Sequence, residues 1–280
     1  MSVAEKMDDS EGWRAELNLS FAYKANKTIL ASSKHLGPLR VQRPFYPEDE
    51  VCHVYLLHPP GGVVGSDVLN IDIETKEKSH ALITTPGSTK FYRSMGEFAK
   101  VTQTLNIGNN STLEWFPQDN ILFPGAKVKL QTQVNLEQNS CFMGWDIYCL
   151  GRPANQELFD VGKLDASLRI MRNGKPLLIE RQRVFEQRQL NSSAGLRGYP
   201  MSAIFLCTNC NTEHVELART ILRELSPNFP VGITLLDDIL VLRALGNSSE
   251  RLRAAMILVW QALRPLLCQK KPILPRIWLT

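Results

Sequence analysis

The sequence has little that would place it in a membrane or on a nucleic acid. Its longest apolar stretch near the carboxyl end, residues 254–260, is far shorter than the ~20 residues that a bilayer-spanning helix requires. The 32 lysines and arginines exceed the 28 aspartates and glutamates by only four charges, and they are scattered along the chain. Dispersed charge of this size disfavours electrostatic binding to nucleic acid. We therefore expect neither a nucleic-acid partner nor a membrane.

The amino-terminal segment also lacks the apolar stretch of a secretory signal. Residues 1–12 are polar and acidic, which predicts a cytoplasmic protein with a disordered tail at residues 1–12. The six cysteines are then expected to be free thiols that pack as small apolar side chains. Cys207 and Cys210 have the spacing of a zinc or redox pair, but the second ligand pair of a structural zinc site is missing.

Common catalytic motifs are absent from the sequence. It contains no Gly-x-Ser-x-Gly, no His-Glu-x-x-His and no EF-hand loop. The most unusual segment is the glycine-rich loop at 58–67, with Gly61, Gly62 and Gly65 between His58 and Asp67. A loop of this kind can present backbone N–H groups to an anion, so a small-ligand or phosphate-binding enzyme is one interpretation. Against it, no Gly-Lys-Ser/Thr and no helix follow the loop.

Period-two alternation dominates the region from residue 13 to about residue 189. The clearest example is a run of apolar residues at every second position between Val128 and Leu136, with polar residues between them. Asn173 and Gly174 separate two further strand-like runs, which is a strong hairpin signal. From these residues alone we predict an antiparallel β body.

The last third of the chain changes its period. One helical face follows Thr212, which is a suitable N-cap, and one or two more strands are indicated at 231–236 and 239–242. Ser248 is a suitable N-cap for a second helix with an apolar stripe, which Pro265 is expected to end or kink. The sequence therefore predicts a mainly β protein with two α-helices in its carboxyl-terminal half, arranged as a single domain over residues 1–280.

Several carboxylates lie among bulky neighbours. Asp146 is flanked by Trp145 and Ile147, Glu180 follows Ile179, and Glu157 lies between them in the sequence. A buried carboxylate requires a cation or hydrogen-bond donors around it. An arginine partner and a transient metal ion are both compatible with this pattern, and the residues alone do not decide between them.

Ordered sequence blocks then point to a family. They are RPFYPE at 43–48, HPPGGVVG at 58–65, TTPGSTKFYRS at 84–94, LEWFPQD at 113–119, GWDI at 144–147, LGRP at 150–153, ELF at 157–159, ER at 180–181 and PRIWLT at 275–280. In this order they resemble the urease accessory protein family UreD, also called UreH. The chain departs from the family at Ser66 and Val68, where Gly and Arg are usual, which removes one basic position.

The resemblance implies a non-enzymatic scaffold with a stacked, β-helix-like fold. Such a protein binds urease apoprotein, recruits UreF and through it the GTPase UreG, and conducts nickel to the urease active site. Nickel would be cargo in transit, with no cofactor tightly bound, and two copies of the chain are expected within the accessory complex.

Site residues follow from the same resemblance. Asp67, Asp146 and Glu180 are assigned to the nickel route, with His58 and Glu157 as weaker additions. Oxygen ligands in sequence suit a route, because tight binding would trap the ion. The carboxyl-terminal part would contact UreF, and there the candidate residues are Trp260, Arg276 and Trp278. The alternative is a last helix packed wholly on its own β body.

Overall fold

The computed structural model describes residues 12–279, so the tail predicted for residues 1–12 lies outside the described residues apart from Gly12. Two facing β-sheets form the body, and strands are numbered in chain order. The first sheet contains β1 (Arg14–Lys24), β2 (Lys27–Leu36), β5 (Val68–Thr75), β8 (Ala99–Ile107), β11 (Lys127–Leu136), β13 (Lys163–Arg172) and β14 (Lys175–Val184). The second contains β3 (Arg40–Val41), β4 (Cys52–Leu57), β6 (His80–Thr84), β9 (Thr112–Phe116), β12 (Cys141–Leu150), β15 (Met201–Cys207), β16 (Val231–Leu236) and β17 (Ile239–Gly246).

The remaining elements join or cover these sheets. Two short strands, β7 (Thr89–Phe91) and β10 (Asn120–Leu122), pair with each other beside the second sheet. The helices are α1 (Gln187–Asn191), α2 (Thr212–Leu225) and α3 (Ser249–Cys268), and 3₁₀ turns occur at Pro153–Asn155 and Arg276–Leu279. No helix among the described residues is both long and apolar enough to cross a membrane.

The chain winds between the two sheets as a β-solenoid. From β4 to β13, apart from the short strands β7 and β10, the chain alternates between the second and the first sheet. Strands that are one turn apart in the same sheet pair in parallel. The stacked, mainly β fold is thus confirmed. The antiparallel pairing that we predicted from alternation is wrong for this winding and holds for the flanking ladders, such as β1–β2, β13–β14 and β15–β17. Alternation reports burial on one face of a strand and does not report the direction of its neighbour.

The apolar residues of the alternating strands meet between the two sheets. Along β11 the inward residues Val128, Leu130 and Val134 are buried, while the residues between them on the outer face of the first sheet are mostly exposed. β12 is buried along its whole length, because its inner face contacts the first sheet and its outer face is covered by helix α3. Residues of β12 therefore belong to both layers of the core, the one between the sheets and the one under α3.

The helices predicted from the last third of the chain are confirmed. The N-cap predicted at Thr212 is wrong by one residue: Asn211 is the N-cap of α2 and accepts a hydrogen bond from the backbone N–H of His214. Ser248 is the N-cap of α3 as predicted. Pro265 does not end α3, which continues to Cys268, so that part of the prediction is wrong. Packing of α3 on the second sheet outweighs the loss of one helical hydrogen bond.

Candidate functional site

A cavity of about 700 Å³ opens between the sheets, beside β12, β13, β14, β15 and β17. We call it the Asp146 cavity. Its polar lining includes Asp146 and Tyr148 from β12, Glu180 and Gln182 from β14, and Arg243 from β17. Period-two geometry explains this set, because residues 146 and 148 share one face of their strand, as do residues 180 and 182. Two of the carboxylates assigned to the nickel route are thus brought together.

Asp146 is buried with little to balance its charge. Its side chain is 3% exposed, and the Tyr148 hydroxyl donates to its Oδ2 at a distance of 3.5 Å. Among the described residues, Asp146 takes part in no ion pair. Burial raises the pKa of the Asp146 carboxyl to about 7, and the Tyr148 hydroxyl opposes this rise only weakly. A cation bound beside Asp146 would therefore stabilise the ionised form of its carboxylate.

Glu180 faces the same cavity but already has a cation partner. Arg243 Nη2 donates to Glu180 Oε1, and this ion pair crosses from the second sheet to the first. Beside it, Gln182 Oε1 accepts a hydrogen bond from the Ser202 hydroxyl at 2.9 Å, while the buried Gln182 Nε2 has no partner within the described chain. Gln182, Tyr148 and Arg243 were missed by sequence reasoning. The i+2 spacing from Glu180 and Asp146 marks the first two, whereas Arg243 becomes visible only in the packed structure.

Asp67 lies outside this cavity. It is 6% exposed, and its two carboxylate oxygens accept hydrogen bonds at 2.8 Å from the backbone N–H groups of Trp13 and Val64. It therefore ties the glycine-rich loop to the start of the described chain. Burial lowers the pKa of the His58 imidazole, and the charge of Asp67 partly offsets this effect.

The glycines of the loop serve close approach between backbone segments. A Cβ at Gly62 would lie 2.7 Å from the carbonyl oxygen of Lys90, and one at Gly65 would lie 2.9 Å from that of Glu97. Gly61 is exposed, and its carbonyl oxygen accepts a hydrogen bond from the Tyr92 hydroxyl. Backbone N–H groups at positions 63, 64, 66 and 67 donate within the protein, so they are not free to hold an anion. This geometry disfavours a phosphate loop.

A second cavity, of about 420 Å³, lies behind the same loop. It is lined by His58, Gly61 and Gly62 together with apolar residues from both sheets. The indole Nε1 of Trp115 also lines it; this atom is buried and has no hydrogen-bond partner within the described chain. Sequence reasoning missed Trp115, which lies within the LEWFPQD block.

Glu157 lines neither of the two cavities. Its carboxylate forms a two-bond ion pair with Arg152, and both side chains are more than one-third exposed. Hydrogen bonds from Arg152 lower the pKa of the Glu157 carboxyl. Neither cavity includes Glu157, so the structure does not bring it to Asp146 and Glu180.

The strongest buried charge cluster was not anticipated. Arg264 of α3 has no exposed surface and donates to the carboxylates of Glu114 and Glu48 at 2.6–3.1 Å. His80 contacts Glu114 and His53 contacts Glu48, each at 2.6 Å. An arginine in the apolar stripe of α3, four residues after Trp260, is the sequence signal that could have revealed it. The cluster attaches α3 to the second sheet.

The carboxyl-terminal candidates divide into buried and exposed residues. Trp260 has no exposed surface, and its Nε1 donates to Glu114 at 2.6 Å. Trp278 packs against Phe116, Trp145 and Trp260 and donates to the Thr84 hydroxyl. Arg276 is exposed. Both tryptophans thus pack onto the body of the protein, and a partner contact at these residues stays a prediction.

Cys207 and Cys210 have the spacing of a metal or redox pair. Cys207 and Cys210 are both buried free thiols, and burial is the main reason why the pKa of the Cys207 thiol is raised well above its ordinary value. Within residues 12–279, no three or more His, Cys, Asp or Glu side chains are grouped to hold a metal ion.

Comparison with known proteins agrees with the family that the sequence blocks indicate. The family model described as UreD urease accessory protein matches residues 13–279. The urease accessory protein UreD of Alcanivorax borkumensis is 51% identical over 274 residues, which cover 96% of this chain and 93% of that protein. The proteins of the same name from Citrobacter koseri (48%; 97% and 93% covered) and Klebsiella aerogenes (44%; 96% and 98% covered) are also similar.

These matches extend over nearly the whole chain. The relatives and the family model are all described as accessory proteins, and this is the class to which the chain belongs. The chain is a member of the UreD family of urease accessory proteins.

Proposed function

We propose that the chain is a scaffold of urease maturation through which nickel passes as cargo. It binds urease apoprotein, recruits UreF and through it the GTPase UreG, and acts in the cytoplasm without catalysing a reaction itself. Family membership supports the scaffold role. The observation that carries the nickel route is Asp146, a buried carboxylate without a balancing cation, in the same cavity as Glu180.

The chemistry of the cavity suits a hard or borderline divalent cation. Carboxylate oxygens from Asp146 and Glu180, with the hydroxyls of Tyr148 and Ser202 beside them, supply oxygen ligands without a closed set of histidines or cysteines. Open ligation of this kind favours exchange, and an ion in transit must be released as readily as it is bound.

The other residues assigned to the nickel route lie outside the Asp146 cavity, so they would have to form a separate part of the route. His58 lines the second cavity, whereas Asp67 lines neither cavity and has both carboxylate oxygens occupied by backbone donors. We assign Asp146 and Glu180 to the route and keep Asp67, His58 and Glu157 as predictions. A Glu157 contribution would require its ion pair with Arg152 to open.

The test is reconstituted activation of apo-urease with UreF, UreG, GTP, bicarbonate and nickel, with and without this chain. Urease activity should appear only with the chain, and Asp146→Asn or Glu180→Gln should lower it while the partner complex still forms. Asp238→Asn is the matched control, because its carboxylate also pairs with an arginine but lines neither cavity. Full activation by the double variant D146N/E180Q would exclude the route.

Docking of UreF is assigned to the exposed part of the carboxyl-terminal segment. Arg276 and the apolar side chains of Leu266, Ile273 and Leu279 are exposed there. Truncation after Leu267 would also remove Trp278 from the aromatic core, so point variants are the sharper test. Arg276→Ala and Leu279→Asp should weaken UreF binding in a pull-down with purified protein. Unchanged binding by the double variant would place the docking surface elsewhere.

A further inference from the structure

The two carboxylates of the Asp146 cavity differ in one respect. Glu180 is held by the guanidinium of Arg243, whereas Asp146 takes part in no ion pair within residues 12–279. Both partners of the Glu180–Arg243 pair line the cavity, and they come from opposite sheets, β14 and β17. The guanidinium therefore lies across the cavity and cancels part of its negative charge.

A divalent cation and this guanidinium compete for the same atom. Arg243 Nη2 donates to Glu180 Oε1, which is also an oxygen that a cation would bind. A cation bound there beside the guanidinium would meet direct repulsion between like charges. Binding of the cation at Glu180 thus requires Arg243 to move away.

The ion pair is able to open. The side chains of Arg243 and Glu180 are 46% and 26% exposed, and solvent-exposed pairs of this kind contribute little to stability. Arginine is also long and flexible, so its head can swing into water while its stem stays in place. The geometry allows exchange of guanidinium for cation without a change in the fold.

We propose that Arg243 is a gating residue of the cation route: its guanidinium occupies Glu180 in the resting cavity and is displaced by the entering divalent cation. This inference rests on the proposed function, because it concerns passage of nickel past Asp146 and Glu180. The gate lowers the affinity of the resting cavity for cations and keeps an ion from being trapped at Glu180. Arg243 acts through Glu180 and is not itself a ligand.

A purely structural role for the pair makes a different prediction. A second ion pair, Arg172 with Asp238, also joins the two sheets, because Arg172 ends β13 and Asp238 lies in the turn between β16 and β17. Its side chains are 26% and 32% exposed, and neither residue lines the cavity. Arg172→Gln is therefore the matched control for loss of a cross-sheet ion pair.

The experiment measures activation of apo-urease in the complete reconstituted mixture as a function of nickel concentration. Arg243→Gln should lower the half-saturating nickel concentration about twofold to fivefold, the range expected for loss of an exposed ion pair, with an unchanged plateau. Arg243→Lys, which keeps the charge, and R172Q should behave as the unmodified chain. In the double variant R243Q/E180Q, removal of the arginine should have no further effect on the nickel dependence given by E180Q alone.

The outcomes separate the gate from the route. An unchanged half-saturating concentration for R243Q, while D146N and E180Q still lower activation, would overturn the gate and leave the proposed function standing. An equal shift for R172Q and R243Q would reduce Arg243 to a cross-sheet contact. Normal activation by the D146N/E180Q double variant would overturn the proposed route and the gate with it.

Discussion

Glu114 and Asp146 are buried carboxylates on neighbouring strands of the second sheet, and their surroundings are opposite. Glu114 lies under α3 and receives hydrogen bonds from Arg264 and Trp260, with His80 at 2.6 Å. Asp146 faces the space between the sheets, with one long hydrogen bond from Tyr148. Glu114, the saturated centre, is surrounded by hydrogen-bond donors and a cation, whereas Asp146, the open centre, faces a cavity.

The pKa values express this difference. Burial alone would raise both, and it raises the pKa of Asp146 to about 7. At Glu114 the charge of Arg264 and the contact with His80 outweigh burial and lower the pKa to about 2. Burial alone therefore does not set the pKa of a carboxylate; the cations and hydrogen-bond donors around it decide the direction of the shift.

Breaking the saturated centre should have the largest effect. Arg264→Met would leave Glu114 and Glu48 buried without their cation and should lower the free energy of unfolding by about 3–5 kcal/mol. Urea unfolding followed by tryptophan fluorescence would measure it. Arg253→Met on the same helix is the control, since the Arg253–Asp119 pair is partly exposed and should cost much less. A loss for R264M no larger than for R253M would show that the cluster is not needed to hold α3.

Neutralising the open centre should stabilise the fold in a pH-dependent manner. The folded chain holds the Asp146 proton up to about pH 7, while the unfolded chain releases it near pH 4, so the unmodified protein loses stability as pH rises through this interval. D146N has no such proton, and its advantage in free energy of unfolding should grow by about 1–3 kcal/mol between pH 5 and pH 8.

Urea unfolding of both chains at a series of pH values would test this. Asp160→Asn is the control for loss of a single carboxylate, because Asp160 is exposed in the segment before β13. A constant difference between D146N and the unmodified chain across the range would mean that Asp146 is ionised throughout.

Removing one donor from the saturated centre should have an intermediate effect. Trp260→Phe keeps an aromatic ring against Phe116 and Trp278 but deletes the indole N–H that donates to Glu114. We expect a loss of about 1.5–3 kcal/mol in the free energy of unfolding, as for hydrogen bonds to charged groups. If W260F retained full stability, Arg264 and His80 alone would suffice for Glu114.

The smallest effect is expected at the Tyr148 hydroxyl. Its hydrogen bond to Asp146 is 3.5 Å long, so Tyr148→Phe should change the free energy of unfolding by less than about 1 kcal/mol. Because this hydroxyl lowers the pKa of Asp146, its removal should move the midpoint of the Asp146-linked stability loss to higher pH. A shift to lower pH would contradict the assigned donor role.

Sequence patterns predicted the local elements better than their assembly. The hairpin at Asn173 and Gly174, the N-cap at Ser248 and the strands near the carboxyl end depend on nearby residues, and all are observed. The parallel direction of the solenoid ladders was not visible in the alternation. Neighbouring strands there are separated by a full turn through the other sheet, and the resemblance supplied what the periodicity did not.

The site divides in the same way. Bulky neighbours around Asp146 and Glu180 in the sequence indicated burial, and the family blocks indicated a common role. Their shared cavity, the guanidinium of Arg243 on Glu180 and the lack of an ion pair at Asp146 within the described residues depend on strands that are far apart in sequence.

By itself, the sequence determined the β content, the two principal helices, the N-cap of α3 and the family, because these follow from short-range periodicity and from ordered motifs. Only the tertiary structure decided that Glu114 would pair with a cation and that Asp146 would not, within the described residues. Charge compensation acts over a few ångströms in space, and here it joins residues separated by 63 positions at Glu180–Arg243 and by 150 at Glu114–Arg264.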